Sequence, residues 1–287
     1  MRLAAAVNIV KMLLLAAIPT AAACGLGWLV AGSHGSSLFG ICSLLAWAAI
    51  YWYGDRALLG MLGARPYALA EEPLLRSTVD RLSAGFGVVP PKLYLIDDLF
   101  PRTFAVGRGP RSSCLAVSSG LLGALPPGEL AAVLAHELAH VRRRDVLTQT
   151  SAVLVAAMLV ESSRIGGWLS RGLLYVLAPL GAAFVHLTLS PKRELAADEA
   201  AAATTGMPDE LADALVRLDR ASELVQFAAS PATEPLYPVD PFDESRLTRM
   251  FRTHPPLAVS RSSAGRLRRP PAAGDARRTA TSARSRL

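Results

Sequence analysis

The stretch VLAHELAHVRRRD, Val133 to Asp145, decides how the rest of the chain is read. His136 and His140 stand four residues apart. On a helix that spacing puts both imidazoles on one face, one turn apart. It is a geometry in which two side chains ligate one Zn²⁺. Glu137 emerges beside the first histidine, where a carboxylate can serve as general base. The alternative is an amphipathic helix that happens to carry two histidines. The flanks argue against it. ELAAVLAHELAHV is small and apolar almost all round. Three ionisable side chains in such a helix need a partner, and a metal supplies one.

A catalytic zinc takes a third protein ligand and keeps one position open. KRELAADEA, from Lys192, offers Glu194 and, one helical turn later, Asp198. Glu194 completes the set with His136 and His140, for one Zn²⁺ per chain. Asp198 is placed to accept the free N–H of a ligating histidine. Glu199 is the less favoured third ligand, one position off that face.

The composition points to a membrane. Hydrophobic residues make up 52% of the 287, too many for an average soluble domain. Met12–Ala31, Gly35–Gly54 and Gly172–Pro191 are each 20 residues without Asp, Glu, Lys or Arg. That length crosses a bilayer core. Val146–Val160 is a shorter run of 15, suited to a shallow arm or a buried helix. His140 and Glu194 must lie on one side of the membrane, so the two later runs cross together or not at all. The N-terminus mimics a signal peptide, but the apolar run continues past Cys24 and a second span follows, so an uncleaved hairpin is expected. Lys and Arg flank the hairpin on its outer ends and are missing from the loop at His34. The positive-inside rule then places both termini and the metal site in the cytoplasm.

The formal net charge is +7, which invites a nucleic-acid reading. The distribution speaks against it. Residues 264–287 carry seven Arg and one Asp, hence +6 of the total. This tail lacks aromatics and periodicity, reads as disordered, and suits anionic lipid head groups rather than nucleic acid. Cys24, Cys42 and Cys114 form no disulfide or metal pattern.

Between the hairpin and the tail the pattern is mixed. EEPLLRSTVDRLSAGFGV, from Glu71, spaces Leu74, Leu75, Val79, Leu82 and Phe86 as a helix. KLYLIDD, TFAVGR and SCLAVSS read as three short strands. Pro126-Pro127-Gly128 opens the metal helix. PDELADALVRLDRASELVQF, from Pro208, is amphipathic through Leu211, Leu215, Leu218 and Leu224. The expected fold is α+β: a mainly helical membrane protein with a small sheet and a zincin-like domain. Its parts are a hairpin over 1–54, a metalloprotease domain over 55–260 interrupted by apolar segments at 146–160 and 172–189, and a basic tail over 261–287. An extended peptide substrate is expected to pair with the strand at Leu115, Ala116, Val117 and Ser118 as an added edge strand.

PRTFAVGR, AVSSGLL, LAHELAHVRRRD, KRELAADEAA and FRTHPPL, in that order and behind an apolar hairpin, resemble the HtpX-type membrane zinc metalloproteases, of the same broad family as the CaaX prenyl endopeptidases. The resemblance covers nearly everything except the tail. It implies a gluzincin-like peptidase on the cytoplasmic face of a bacterial inner membrane. It implies His136, His140 and Glu194 as ligands, Glu137 as general base, and damaged or unfolded membrane proteins as substrates. It further implies a role for His254, of the downstream His-Pro motif, in holding the oxyanion. Arg102 stands where the family often has Asn, which bears on fine specificity. His186, inside the last apolar run, reads as an interfacial histidine, and His34 as one without a role.

Two rivals frame the test. A prenyl-protein endopeptidase needs a large cavity built by more spans than are visible. A non-catalytic scaffold that keeps zinc for structure needs a closed site of four protein ligands.

Overall fold

A four-stranded mixed sheet sits between two sets of helices, one of them apolar enough for a bilayer. The computed structural model describes residues 2–68, 73–164 and 191–223. His186, His254, the apolar run at 172–189 and the tail at 261–287 lie outside them.

Helix α1 runs from Arg2 to Met61 as two arms joined at a kink, where Ala31 and Gly32 leave helical dihedrals and Gly32 adopts φ +61°. That left-handed conformation costs glycine little and a Cβ-bearing residue much more. The chain therefore folds back between the two expected spans. Thr20 Oγ1 and Ser43 Oγ hydrogen-bond at 2.8 Å, Cys24 Sγ lies over Gly40, and the Gly27 and Gly35 backbones touch. Apolar side chains on both arms face outward; Leu29 is 82% exposed. The second arm continues past residue 54 to Met61.

The sheet follows: β1 (Ala64–Pro66), β2 (Lys92–Ile96), β3 (Thr103–Gly109) and β4 (Ser112–Ser118), in the order β1-β2-β4-β3. β1 and β2 are antiparallel, β2 and β4 parallel, β3 and β4 antiparallel. The sequence patterns gave β2, β3 and β4. The three-residue β1 escaped them, being too short for alternation and carrying Pro66, which an edge strand tolerates. Leu115 through Ser118 stand in β4 between β2 and β3, so both backbone edges are paired. The expected role of this segment as a substrate-pairing edge is corrected: no N–H or C=O row is left for an added strand. The chain order alone hides this, because β4 is last in sequence but interior in space.

Both faces of the sheet are covered. Leu93, Leu115 and Val117 join a core with α2 (Pro73–Phe86), α4 (Pro127–Arg143), α6 (Pro191–Thr205) and α7 (Pro208–Glu223). Ile96, Phe104, Cys114 and Ala116 join a second core with Leu58 and Leu59 of α1 and Val153 and Leu154 of α5 (Asp145–Arg164). Burial on both faces explains why these strands read as continuous apolar runs. Burial also pushes the Cys114 thiol up to about 11, so it is a packed neutral group and no thiolate. A short helix, α3 (Ser119–Ala124), is capped by Ser118, whose Oγ accepts from Leu121 N. In α2 the expected face holds at Leu75, Val79, Leu82 and Phe86, while Leu74 is 71% exposed, one position off the stripe.

The arm contact gives a test with an internal control. A methyl at Gly35 would overlap the Gly27 carbonyl, whereas one at Gly60 meets nothing within 4 Å. Gly35→Ala is expected to lower the thermal midpoint in detergent, with a cost of about 1–3 kcal/mol. Gly60→Ala is expected to hold or raise it, by helix propensity worth up to ~1 kcal/mol. Differential scanning fluorimetry reads both.

Candidate metal centre

Helix α4 is built to be buried along the face that carries the site. Pro127 stands at its first turn with Pro126 before it, a fixed φ suited to helix initiation. Glu129 in the first turn receives Arg217 of α7 through two hydrogen bonds of 2.8 and 3.0 Å. Ala131, Ala132, Ala135 and Ala139 are buried and let α6 and α7 approach closely. The helix ends at Arg144, whose φ of 63° is left-handed, and its N–H caps the carbonyls of His140 and Val141.

His136 and His140 point their Nε2 atoms at one another, 3.2 Å apart. Glu194 Oε2, from α6, lies 3.5 Å from each. The far nitrogen of each ring is also held. His136 Nδ1 lies 2.8 Å from Asp198 Oδ1, and His140 Nδ1 lies 3.2 Å from Asp145 Oδ2. A carboxylate on Nδ1 fixes the tautomer with the proton on that side, leaving both Nε2 lone pairs aimed at one point. The ligand atoms of His136, His140 and Glu194 form a three-donor group. A tetrahedral zinc with bonds of ~2.0–2.1 Å has ligand-to-ligand edges of about 3.3 Å. The observed 3.2, 3.5 and 3.5 Å match that triangle. The donor set therefore fits a divalent cation, with one vertex left over.

The electrostatics agree. Burial alone would lower the His136 pKa, but its hydrogen bonds to Asp198 and Glu194 hold it well above the ordinary value. Burial likewise opposes charge on His140, and Glu194 with Asp145 outweighs it, so that pKa is raised too. Two imidazoles and three carboxylates thus draw a positive charge into their midst, as protons or as a metal. Burial raises the Glu137 carboxyl as well, against the pull of His136 and His140. Glu137 Oε2 accepts from the Ala105 backbone N–H of β3 at 2.9 Å.

Asp145 is the site residue that the sequence reading missed. It sits five positions after His140, past the end of the helix, where periodicity cannot place it. The left-handed turn at Arg144 returns it to the ring. Arg143 and Arg193 approach its Oδ2 at 3.4 and 3.6 Å, and Arg193 donates to Gln149 Oε1 at 3.3 Å. An acidic residue just after a histidine and a basic run was the available signal. Glu199 is exposed on α6 and is not part of the donor group. Arg102 is buried and ion-paired with Asp98 at 2.8 Å, while its backbone N–H donates to Ser118 Oγ. His34 is exposed in α1.

The metal set makes a graded prediction. His136→Ala and Glu194→Ala are expected to abolish stoichiometric zinc binding. Asp198→Asn and Asp145→Asn are expected to weaken it 10–100-fold, the usual loss for a carboxylate behind a ligating histidine. Competition with a chromophoric chelator measures all four.

Comparison with known proteins places this arrangement. Residues 69–264 match the model of "Peptidase family M48". A protein named "Protease HtpX homolog" from Acidiphilium cryptum is 39% identical over 272 residues, covering 87% of this chain and 93% of its own. One from Syntrophobacter fumaroxidans is 36% identical, covering 85% and 93%. One from Pyrococcus abyssi is 34% identical, covering 84% and 90%. Among solved structures, S. mikatae Ste24p superposes with a TM-score of 0.50 at 15% identity, covering 92% of this chain and 67% of that one. At that identity the likeness speaks for the fold alone.

Proposed function

The chain belongs to peptidase family M48, and from that premise we propose that it is a membrane-bound zinc endopeptidase acting on unfolded or damaged membrane proteins. One observation carries the reading: three donors at tetrahedral spacing with an open vertex, and a buried glutamate next to the first of them. A structural zinc site is usually closed by four protein ligands, and this donor group has three among the described residues.

His136, His140 and Glu194 would hold the ion. Zinc, when bound, supplies a Lewis acid and an acidified water. Glu137 handles the proton. Its Oε2 is tethered to Ala105 N–H, so the carboxyl is held in one orientation. Oε1 takes the proton of the water that attacks the peptide carbonyl, and returns it to the amine as the C–N bond breaks. Burial raises its pKa, so the carboxyl holds a transferred proton more readily than an exposed glutamate would. Asp198 and Asp145 orient the two rings. By resemblance, His254 donates to the oxyanion. An extended substrate would approach Glu137 beside β3, the edge strand whose Ala105 and Gly107 N–H groups are already given to Glu137 Oε2 and Thr150 Oγ1.

The membrane reading rests on α1. Both arms are long, apolar and outward-facing, and such surface in water would be costly. The two arms cross the bilayer, the second apolar pair at 146–160 and 172–189 completes a multi-pass protein, and the site faces the cytoplasm by the positive-inside rule. The tail at 261–287 lies against anionic lipid.

Glu137→Gln is expected to keep one zinc per chain and to lower cleavage of unfolded casein by about 10²–10⁴-fold, with chelation silencing the wild type. Zinc retained in both proteins with equal cleavage would remove Glu137 from the mechanism. Topology is tested separately. Labelling of a cysteine placed at Ser33 with an impermeant maleimide, in a background lacking the native three, is expected in intact cells; labelling only after lysis would reverse the orientation.

A further inference from the structure

A cavity of about 570 Å³ opens at the end of the second arm of α1, lined by Tyr51, Val89, Arg108, Arg111, Ser112 and Arg144, with glycine and proline backbone between them. It gathers elements far apart in sequence: the membrane arm, the loop after α2, the β3–β4 turn and the end of α4. Three of the six side chains are arginines, and none of the described lining residues is acidic. Arg108 Nη2 donates to Ser112 Oγ at 3.2 Å, and its Nε has no acceptor among the described residues. None of the three arginines makes an ion pair with a described carboxylate. Positive charge of that density calls for an anion.

The level of the cavity says which anion. Tyr51, Trp52 and Tyr53 are exposed at the end of the apolar arm, one residue short of the charged pair Asp55 and Arg56. Aromatic rings at that position mark the head-group zone of a bilayer. The Arg108 guanidinium lies 5.1 Å from the Trp52 ring centre and 5.8 Å from that of Tyr51, close enough for cation–π attraction. One charge is thus held at the depth of the head groups. Val89, 53% exposed on the lining, adds an apolar flank for glycerol ester carbons. Arginine offers planar forked donors that match phosphate oxygens.

We propose that this cavity binds the phosphate of an anionic phospholipid from the leaflet that the soluble helices face. Three cations repel the choline of a zwitterionic lipid and welcome a net negative head. The bound lipid ties the β3–β4 turn and the end of the metal helix to the membrane arm, and so fixes the active-site sheet against the bilayer. The inference rests on the reading of α1 as a membrane hairpin.

The test uses the full-length protein in detergent, with native mass spectrometry as readout. Dihexanoyl-phosphatidylglycerol, dihexanoyl-phosphatidylcholine and inorganic phosphate are titrated in turn. The wild type is expected to retain the anionic lipid at least about tenfold better than the zwitterionic one. Arg108→Gln and Arg111→Gln should each lower that retention roughly fivefold, the effect of one basic residue at a lipid surface. Val89→Glu adds a rim anion at a half-exposed side chain whose backbone N–H bond to Pro110 O is kept, and should act in the same direction; zinc content and thermal midpoint report folding of each variant. Retention unchanged in Val89→Glu and in a folded arginine variant overturns the proposal. So does equal displacement by millimolar inorganic phosphate, which would make the site one for a soluble anion. Loss of retention on replacing the tail arginines, with the cavity variants unaffected, overturns it by assigning the lipid to the tail. Membrane fractionation of the same cells tests the hairpin itself, so failure of the lipid site and failure of the membrane reading are told apart.

Discussion

The structure depends on holding three electron-rich atoms closer together than they would choose. The Nε2 atoms of His136 and His140 and Oε2 of Glu194 stand 3.2 to 3.5 Å apart. Lone pairs aimed at one point repel unless a positive charge sits between them. Two of these groups share a helix, and spacing of four residues sets their separation. The third comes from α6, whose small residues Ala197 and Ala201 are buried against the metal helix. Any loosening of the α4–α6 contact would let Glu194 withdraw. The packing of small side chains is therefore what holds the three donors at the spacing a cation would need.

A shell of carboxylates carries the constraint outward. Asp198 fixes one ring and Asp145 the other. They reach the rings differently. Asp198 is placed by helix periodicity, one turn after Glu194. Asp145 is placed by a left-handed residue at the end of α4, and is held by Arg143 and Arg193. The second route ties α4, α5 and α6 together at one oxygen atom. Arg193 neighbours the ligand Glu194 in sequence, so this network also orients α6.

This contrast explains what the sequence could tell. Spacing within a helix is written in the chain, so His136, Glu137, His140, Glu194 and Asp198 were legible. Strand segments were legible as apolar runs, because the sheet is buried on both faces. Spatial strand order was not: β4 follows β3 in sequence yet lies between β3 and β2, and the edge role assigned to Leu115–Ser118 failed there. Asp145 was hidden because its position is set by a turn, and β1 because three residues have no period. Leu74 looked apolar enough for the α2 stripe, but a helix of 3.6 residues per turn leaves it on the outer side.

The second hydrophobic core has a consequence for how the protein exists in a cell. Leu58 and Leu59, at the root of the membrane arm, are buried against Phe104 and Val106 of the strand that meets Glu137. Gly54 of the same arm faces Leu154 of α5. The anchor is thus half of the wall behind the active-site sheet. A peptidase on a flexible leash could be shed and go on working as a soluble fragment. Here, loss of the hairpin by a cut between Leu59 and β1 would carry Leu58 and Leu59 away with the arm, bare the back of β3 to water and slacken the strand that steadies the base. Confinement to the membrane is in this sense built into the catalyst, and a stray proteolytic cut would disarm the enzyme instead of setting it free.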